Sequence, residues 1–488
     1  MDPILPRPRS AISPAAAALL LFAFATLLRV AYAGFVPLSP QEAYYWQYAR
    51  HPALSYFDHP PAAAWTIRAT TALFGDGERA IRLAAAAWSG VFFLFLFLSA
   101  RRLFGGRVAL VASAVILVTP FFSLGQTIIT PDAPLVGCWM AAFYFTVRAL
   151  DEERGAWLLL AGAATGVASL GKYTGFLLAP QIFLALLLDP RGRPLLRTAW
   201  PYLGLAVASL LFLPVLEWNR AHGWASFAFQ FAGRGRSMRL EPVLVGRFLG
   251  LQALVVSPVL LVALLAALAG AARRLGEPSM RLCAIFSAPL LAILAAVSPF
   301  HWVKMNWAVC AYPTALIAAA AFYAAEPRRF RPVLVGAVAV AALSAAYLAL
   351  MPLVPALPFP ARDATTEGWK ELAARVEREQ GERPGMPVVG CFYRIPSALA
   401  YYLPGRPATF SSNAFGEAGL AYDYWEDPAT LAGREVLVVL DDRDSEWCRR
   451  RTEQCRPLVP LEPLVVRRGT AVVTTFRLWR CGYLGPGR

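Results

Sequence analysis

Long apolar segments dominate the first 355 residues of the chain, and short polar stretches separate them. A hydrocarbon core about 30 Å thick is crossed by roughly 20 apolar residues in a helix, and about eleven segments approach that length. The fifth and sixth segments are short and are separated by Gly171 and Gly175, which predicts broken or tilted helices. The predicted spans cover residues 11–33, 81–100, 108–124, 133–150, 156–170, 175–189, 198–216, 246–272, 281–299, 307–325 and 331–353.

The composition agrees with a polytopic α-helical membrane protein, since 58% of the residues are hydrophobic and 16% are charged. Arginines are concentrated before the first span and in every second loop, which predicts that these segments face the cytoplasm. The other face then receives the loop of residues 34–80, several short turns and everything after residue 355. This topology accounts for the net charge of +15, and without a nucleic-acid-binding motif we expect no nucleic-acid partner.

The chain changes character after residue 355, which predicts two domains, 1–355 and 356–488. Buried strands are expected at 388–392 and 436–440 and amphipathic helices at 366–380 and 395–403, so the second domain is predicted to be a small α/β domain. It holds four of the seven cysteines. If it faces an oxidising compartment, Cys448 and Cys455 are candidates for a disulfide. Its aromatic residues either form its core or cover a cavity and help to select an acceptor.

Candidate chemistry begins in the outward loop 34–80, which is too polar to span a membrane and rich in aromatic residues. Glu42 and Asp58 are its acids closest to the first span and to the Pro60-Pro61 turn. A carboxylate held in a water-poor environment has a raised pKa, which suits a general base. The alternative is an interfacial loop whose acids are simply solvated.

Other outward positions add an acid and two cations. Asp132 begins a predicted helix, where it either caps the helix or projects into the same cavity as Glu42. Only three basic residues are lysines, and Lys172 and Lys304 stand at outward ends of apolar segments. A compact ammonium suits a phosphate, although an interfacial lysine can also extend its side chain to water. Arg234 lies in an outward segment where topology does not explain positive charge, which suggests anion binding.

Polar and aromatic residues on the outward face are candidates for binding a substrate. His59, His222 and His301 are predicted to lie there, and with nearby acids they could hold a divalent metal if the loops converge; the cofactor question stays open. The substrate-binding candidates are Tyr45, His59, Asn219, His222, His301 and Asn306, and the metal-ligand candidates are Asp58, His59 and His222.

Six runs in this order resemble a known superfamily: PLSPQEAYYWQYARHPALSYFDHPP, LFGDGERAIRL, TIITPDAPL, GKYTGFLLAP, EWNRAHGWASFAFQF and FHWVKMNWAVCAYP. They resemble the bacterial GT-C glycosyltransferases, which are related to protein O-mannosyltransferases and to lipid A aminoarabinose and galacturonic acid transferases. The family's acidic pair in the first loop reads Gln41-Glu42 here, which shifts the predicted base to Glu42. By the same resemblance Asp58 and Asp132 match further acidic positions.

The resemblance implies a GT-C-like protein of about eleven transmembrane helices with a periplasmic C-terminal domain. It implies an inverting transferase that moves a sugar from a polyprenyl phosphate to a lipid, glycan or protein acceptor at the periplasmic face of the bacterial inner membrane. Glu42 or Asp58 would accept the acceptor's proton, and Lys172, Lys304 and Arg234 would neutralise the departing phosphate. Two rivals remain: a transporter or flippase for lipid-linked sugars, and a non-catalytic lipid-binding protein.

Overall fold

The computed structural model describes residues 12–232, 239–325, 327–357, 366–381, 383, 385–442 and 454–485. The part before residue 358 is helical, with additional 3-10 turns at Tyr173–Leu177 and Ala272–Arg274. Its helices are α1 (Pro14–Tyr32), α2 (Pro40–Arg50), α3 (Ala62–Phe74), α4 (Glu78–Phe104), α5 (Gly106–Val118), α6 (Pro120–Leu124), α7 (Asp132–Asp151), α8 (Trp157–Gly171), α9 (Leu178–Leu188), α10 (Gly192–Leu195), α11 (Trp200–Ala221), α12 (Ala225–Ala232), α13 (Val243–Val256), α14 (Pro258–Ala271), α15 (Pro278–Ile285), α16 (Ala288–Val297), α17 (Tyr312–Ala325) and α18 (Pro327–Leu350).

Apolar helices occupy all eleven positions that the sequence predicted as spans. Within the described residues, six helical segments are long and apolar enough to cross a membrane by themselves. A bent pair, α13 and α14, forms a seventh candidate, and the others are shorter helices. The six long segments are Pro14–Tyr32, Glu78–Phe104, Asp132–Asp151, Trp200–Ala221, Pro278–Val297 and Pro332–Leu350; the shorter ones are Gly106–Val118, Trp157–Gly171, Tyr173–Leu188 and Tyr312–Ala325.

The prediction of one continuous span at 246–272 was wrong, because α13 and α14 meet at a bend of 100°. The residue before a proline avoids the helical conformation, and Ser257 before Pro258 adopts φ 85° instead. The Ser257 hydroxyl then accepts a hydrogen bond from the amide of Leu260, at 3.3 Å, and so begins the second helix. The break is therefore encoded in the Ser-Pro pair.

Close packing of α8 against α11 depends on two glycines. A Cβ atom added to Gly162 would lie 2.0 Å from the carbonyl oxygen of Gly204, so neither position has room for a side chain. Helices in a membrane gain little from apolar burial against apolar lipid, and small residues stabilise them by allowing the backbones to approach. This contact fixes α8, whose last turn leads directly to Lys172.

In its described residues, the C-terminal domain contains a six-stranded mixed sheet and two α-helices. Its strands pair in the order β2-β1-β3-β6-β4, with β5 also on β6; β1 is parallel to β2 and β3, and the pairs with β6 are antiparallel. Shorter 3-10 turns lie at Ser412–Phe415, Leu420–Tyr424 and Pro428–Leu431. Its elements are α19 (Trp369–Gly381), β1 (Val388–Gly390), α20 (Arg394–Tyr402), β2 (Thr409–Phe410), β3 (Glu435–Asp441), β4 (Cys455–Pro460), β5 (Leu464–Arg468) and β6 (Ala471–Tyr483).

Both faces of this sheet are buried, which explains the continuous apolar run in β3. Successive strand side chains point to opposite faces. Leu437 accordingly packs with Trp369 of α19, whereas Val438 packs with Phe410 and Cys481 on the other face.

Cys455 forms a disulfide with Cys481, so the suggested pairing of Cys455 with Cys448 was wrong. The two bonded cysteines lie on the neighbouring strands β4 and β6. Cys448 itself lies outside the described residues.

Candidate active site

The outward loop folds into α2 and α3, and its first helix is fixed by a capping box. The Ser39 hydroxyl accepts a hydrogen bond from the amide of Glu42 at 3.2 Å. The Glu42 carboxylate in turn accepts one from the amide of Ser39 at 3.0 Å, and Pro40 occupies the first helical position. These reciprocal bonds satisfy amide groups that a helix N-terminus otherwise leaves without partners.

Glu42 also forms a buried ion pair with Arg82 of α4. The guanidinium donates from Nε to one carboxylate oxygen at 2.8 Å and from Nη2 to the other at 2.9 Å. Arg82 further donates to the carbonyl oxygens of Ala33, Val36 and Pro37, so it holds the whole turn after α1. Glu42 is 0% exposed, and both its oxygens are engaged. This environment gives Glu42 a structural part and does not support its prediction as the base.

Asp58 has a different environment, at 8% exposure. Its Oδ1 accepts hydrogen bonds from the hydroxyl groups of Tyr44, at 2.9 Å, and Tyr48. Burial raises the pKa of Asp58, while the two tyrosine hydrogen bonds and the positive charge of Lys304 partly oppose that rise. The Gln230 side chain donates to the Asp58 carbonyl oxygen at 2.7 Å and so fixes the backbone. A raised carboxyl pKa beside a cation suits proton transfer.

Asp132 lies in the first turn of α7 and makes no hydrogen bond as a cap of this helix. One of its oxygens accepts from the Lys172 ammonium at 2.8 Å, and the other from the Asn306 amide at 2.6 Å. Three segments far apart in sequence thus meet at this carboxylate. Lys172 follows directly after α8, where the chain leaves the helix for an extended residue, and this turns its side chain toward α7.

The charges of both carboxylates act on Tyr45. Burial raises the pKa of the Tyr45 hydroxyl, and the negative charges of Asp58 and Asp132 raise it further. The His59 ring meets the Tyr45 ring edge-on, with 5.8 Å between their centroids. Of the predicted residues, Tyr45, Asp58, His59, Asp132, Lys172, Lys304 and Asn306 therefore gather in one region, here called the outward cluster.

The C-terminal domain packs directly on the loop that carries this cluster. Tyr402 donates to the Glu78 carboxylate at 2.8 Å and accepts from the amide of Leu38 at 2.6 Å. Arg406 pairs with Asp76 at 2.6 Å. The aromatic residues of the domain were open to two interpretations, and these tyrosine contacts show that part of them forms a joint core with α2.

Sequence reasoning missed the link from this domain to Asp58. The backbone amide of Ala421 donates to the Tyr44 hydroxyl at 3.1 Å, and that hydroxyl donates to Asp58. Tyr44 also contacts the rings of Tyr393 and Trp425. The only signal in the sequence was the tyrosine-rich run of residues 44–48, which does not indicate which residues the tyrosines contact.

Other predicted residues make contacts with residues outside the outward cluster. Asn219 is 0% exposed. Its side-chain NH2 group donates to the Val215 carbonyl oxygen at 2.9 Å, and its side-chain oxygen accepts from the Phe227 backbone amide at 3.3 Å, so it joins α11 to α12. His222 stacks on Trp218. His301 stacks on Trp307, with ring centroids 6.1 Å apart. Arg234 lies outside the described residues.

The metal-ligand candidates Asp58, His59 and His222 do not form a metal centre. Within the described ranges, no group of three or more His, Cys, Asp or Glu side chains is placed to hold an ion. The hydroxyl groups of Tyr44 and Tyr48 both donate hydrogen bonds to Oδ1 of Asp58. The Nδ1 atom of His222 lies 2.7 Å from the Trp218 carbonyl oxygen. As placed in the described structure, these three residues do not form a metal-binding group.

Fold and site together define a multi-pass membrane protein with a GT-C-like helical part and an acid- and lysine-containing cluster near one end of its spans. The known structure of ArnT from Cupriavidus metallidurans in the apo state has a similar fold, with a TM-score of 0.63 and 19% identity, covering 96% of this chain and 98% of that one. The sequence profile described as "Dolichyl-phosphate-mannose-protein mannosyltransferase" matches residues 58–218.

Sequence relatives agree with the fold. The chain is 27% identical over 453 residues to the lipid A galacturonosyltransferase RgtD of Rhizobium johnstonii, covering 88% of this chain and 92% of that protein. It is 30% identical over 128 residues to the undecaprenyl phosphate-alpha-4-amino-4-deoxy-L-arabinose arabinosyl transferase of Pseudomonas savastanoi pv. phaseolicola, covering 25% of this chain and 24% of that protein. By the profile match, these relatives and the shared fold, the chain is similar to the GT-C glycosyltransferases.

Proposed function

We propose that this protein moves a sugar, with inversion, from a polyprenyl phosphate to a lipid A-type acceptor at the periplasmic face of the inner membrane. The observation that carries the proposal is the outward cluster, in which the charge of Lys304 acts on Asp58, a carboxylate of raised pKa, and Lys172 pairs with Asp132. A structure of similar fold is that of ArnT bound to undecaprenyl phosphate, with a TM-score of 0.60, and this supports a polyprenyl phosphate donor here.

Galacturonic acid is the sugar we favour. The relative that aligns with nearly the whole chain is named a lipid A galacturonosyltransferase, whereas the arabinosyl transferase aligns over 128 residues only. An acidic sugar adds a second negative charge to the donor. The cations of the outward cluster that face the total charge of such a donor are Lys172 and Lys304, and Lys172 already pairs with Asp132.

In the proposed reaction, Asp58 is the general base. A hydroxyl of the acceptor gives its proton to Asp58 while its oxygen forms a bond to the anomeric carbon. The bond from that carbon to the phosphate oxygen breaks, and the electron pair leaves with the polyprenyl phosphate. A general base of this kind typically contributes about 10²- to 10⁴-fold to the rate. Glu42 lacks an accessible oxygen for this step, as its pair with Arg82 shows.

On the donor side, we assign Lys172 and Lys304 to the phosphate. An ammonium has three donors, and Asp132 occupies one of those of Lys172, so the others are available to phosphate oxygens. Asp132 and Asn306 are then positioning residues, because they fix the lysine without touching the departing oxygen. Preorganised cations lower the barrier because they stabilise charge as it develops.

A periplasmic orientation is supported by the disulfide between Cys455 and Cys481, since such bonds persist in oxidising compartments. The arginine-rich loops on the opposite side of the predicted topology favour the same orientation. A cysteine-accessibility experiment on intact cells, with a cysteine introduced at exposed Ala418, tests it. Labelling by a membrane-impermeant reagent is expected, and protection until the inner membrane is opened would contradict it.

The function is tested with purified protein in lipid nanodiscs. Lipid A is mixed with polyprenyl phosphate carrying galacturonic acid or 4-amino-4-deoxy-L-arabinose, and the product is identified by mass spectrometry. We expect a mass increase of one galacturonic acid, and much less product with the other donor. A parallel assay in sealed vesicles follows movement of the donor across the bilayer. A transporter would move the donor and make no new product, and a lipid-binding protein would do neither; either result would overturn the proposal.

Two variants distinguish the effect of a charge in the outward cluster from that of a charge on the surface. Lys172→Gln is expected to lower turnover by about 10²-fold, as the loss of a preorganised charge does in other enzymes. The control is Glu217→Gln, because Glu217 is an exposed acid of the same predicted face that pairs only with Arg220 in the described structure. Equal turnover of both variants would contradict the assignment of Lys172.

A further inference from the structure

A second basic site lies away from the outward cluster, in a pocket between the end of α1, the start of α4 and the turn at residues 125–127. Its enclosed part measures only about 10 Å³, so a phosphate would lie in its open mouth, where Arg79 is exposed. Its apolar wall comes from α1 and α4, and its polar lining is Arg29, Arg79, Arg82, Gln126 and Thr127. We call it the arginine pocket.

The arginine pocket carries a positive charge that its surroundings do not neutralise. Arg29 is 8% exposed and donates to the Ser89 hydroxyl at 3.1 Å and to the carbonyl oxygens of Phe122 and Ser123 at 3.1 and 3.2 Å. Among the described residues, neither Arg29 nor Arg79 has a carboxylate partner, and only Arg82 is balanced, by Glu42. Burying an arginine without an acidic partner costs free energy, and such residues in membrane proteins usually belong to functional sites.

Gln126 supplies an independent indication of a missing ligand. Its side chain is buried at 6% exposure, and its carbonyl oxygen accepts from the Ser89 hydroxyl at 2.7 Å. Its Nε2 group is buried and has no hydrogen-bond partner among the described residues. A buried donor without an acceptor costs about 1–3 kcal/mol, so this amide, beside two unbalanced guanidinium groups, indicates that the pocket receives an anion.

Gly34 shapes the outer wall of the pocket. A Cβ atom at this position would lie 2.3 Å from the Nε atom of Arg79. Only glycine therefore allows the Arg79 guanidinium to lie against the backbone of residue 34. Arg79 is otherwise an exposed side chain, and Gly34 therefore determines whether it stays beside the pocket.

The neighbouring surface indicates where the anion comes from. Phe24, Leu27 and Leu28 of α1 are 62, 70 and 54% exposed, a face suited to acyl chains. Arg29 follows them within one turn, in the last turn of α1. We propose that the arginine pocket binds the phosphate of an anionic lipid headgroup, with the acyl chains along α1. This site is separate from the donor site at Lys172.

The site also connects to the loop that carries the candidate base. Arg82 lines the arginine pocket, pairs with Glu42 and holds the carbonyls of residues 33, 36 and 37. A bound lipid phosphate would share Arg82 with these groups and stabilise the segment between α1 and α2. Lipid binding should therefore raise the midpoint of thermal unfolding of the full chain.

The test uses delipidated full-length protein titrated with phosphatidylglycerol, phosphatidylcholine or inorganic phosphate. Binding is followed by native mass spectrometry and by the midpoint of thermal unfolding. We expect phosphatidylglycerol to bind at least fivefold more tightly than phosphatidylcholine, and to raise the midpoint where inorganic phosphate at the same concentration does not. An equal effect of inorganic phosphate would assign the pocket to a free anion and overturn the lipid proposal.

Two variants and a control locate the binding. Arg79→Gln should weaken phosphatidylglycerol binding about five- to tenfold. Gly34→Ala should weaken it similarly without removing any charge, because the added Cβ displaces the Arg79 guanidinium. Arg220→Gln is the control, since Arg220 is exposed and paired with Glu217. Unchanged binding in Arg79→Gln, or an equal loss in Arg220→Gln, would overturn the site.

Discussion

The hydrogen bond from Tyr44 to Asp58 offers a direct test of the proposed base. Tyr44→Phe removes one hydroxyl and keeps the ring, which is fully enclosed by neighbouring aromatic side chains. The change deletes the 2.9 Å bond to Asp58 and leaves the amide of Ala421 without its acceptor. The ring packing is preserved, and the pH dependence of the reaction separates the effect on the ionisation of Asp58 from the loss of this acceptor, which does not depend on pH.

The sign of the effect follows from the charge states. Burial raises the pKa of Asp58, and the hydrogen bonds from Tyr48 and Tyr44 lower it, because they stabilise the carboxylate. Removing one of these bonds raises the pKa further. A hydrogen bond to a charged group contributes about 1.5–3 kcal/mol, and each 1.36 kcal/mol is tenfold in an ionisation equilibrium. At acidic pH the ionised fraction of Asp58 should therefore fall about tenfold or more.

The assay is kcat/KM against pH for sugar transfer in nanodiscs. Tyr44→Phe should move the acid limb to higher pH, with about a tenfold lower kcat/KM on that limb and a much smaller difference where Asp58 is ionised in both proteins. Tyr422→Phe is the control, because this buried tyrosine of the same core bonds Ser397 and not Asp58. Superimposable profiles for Tyr44→Phe and the unaltered protein would refute the reasoning.

Two further predictions concern stability. Glu42→Gln should destabilise the fold by about 3–5 kcal/mol, because it leaves the buried Arg82 charge without its partner; thermal unfolding in detergent measures this, and an unchanged midpoint would contradict the structural role. Replacing both Cys455 and Cys481 with serine should cost about 2–4 kcal/mol and speed proteolysis of the C-terminal domain. Equal proteolysis before and after the change would show that this bond contributes nothing.

Much of the membrane architecture could be predicted from the sequence, because hydropathy reports directly which segments can lie in lipid. The length of each helix could be predicted less well from the sequence. The bend at Ser257 follows from a local signal, a residue before proline, that a hydropathy window averages away. The partner of Cys455 depends on the pairing of β4 with β6, and strand order is not written in cysteine spacing.

The site was predictable as a set of residue types and not as a set of contacts. Asp132, Lys172 and Asn306 each stood out in the sequence, yet their meeting depends on how α7 and α8 pack. Arg82 carried a signal that was overlooked, since an arginine within a predicted span needs a buried partner. That partner is Glu42, and the pairing turns a candidate base into part of the scaffold.

The central claim is that Asp58, and not Glu42, removes the proton from the acceptor. Single-turnover transfer by Asp58→Asn, measured together with binding of the polyprenyl phosphate donor, tests it most directly. We predict a rate at least about 10²-fold lower, with donor affinity within a few-fold of that of the unaltered protein. A variant that transfers sugar at the original rate, or whose loss lies wholly in donor binding, would contradict the account.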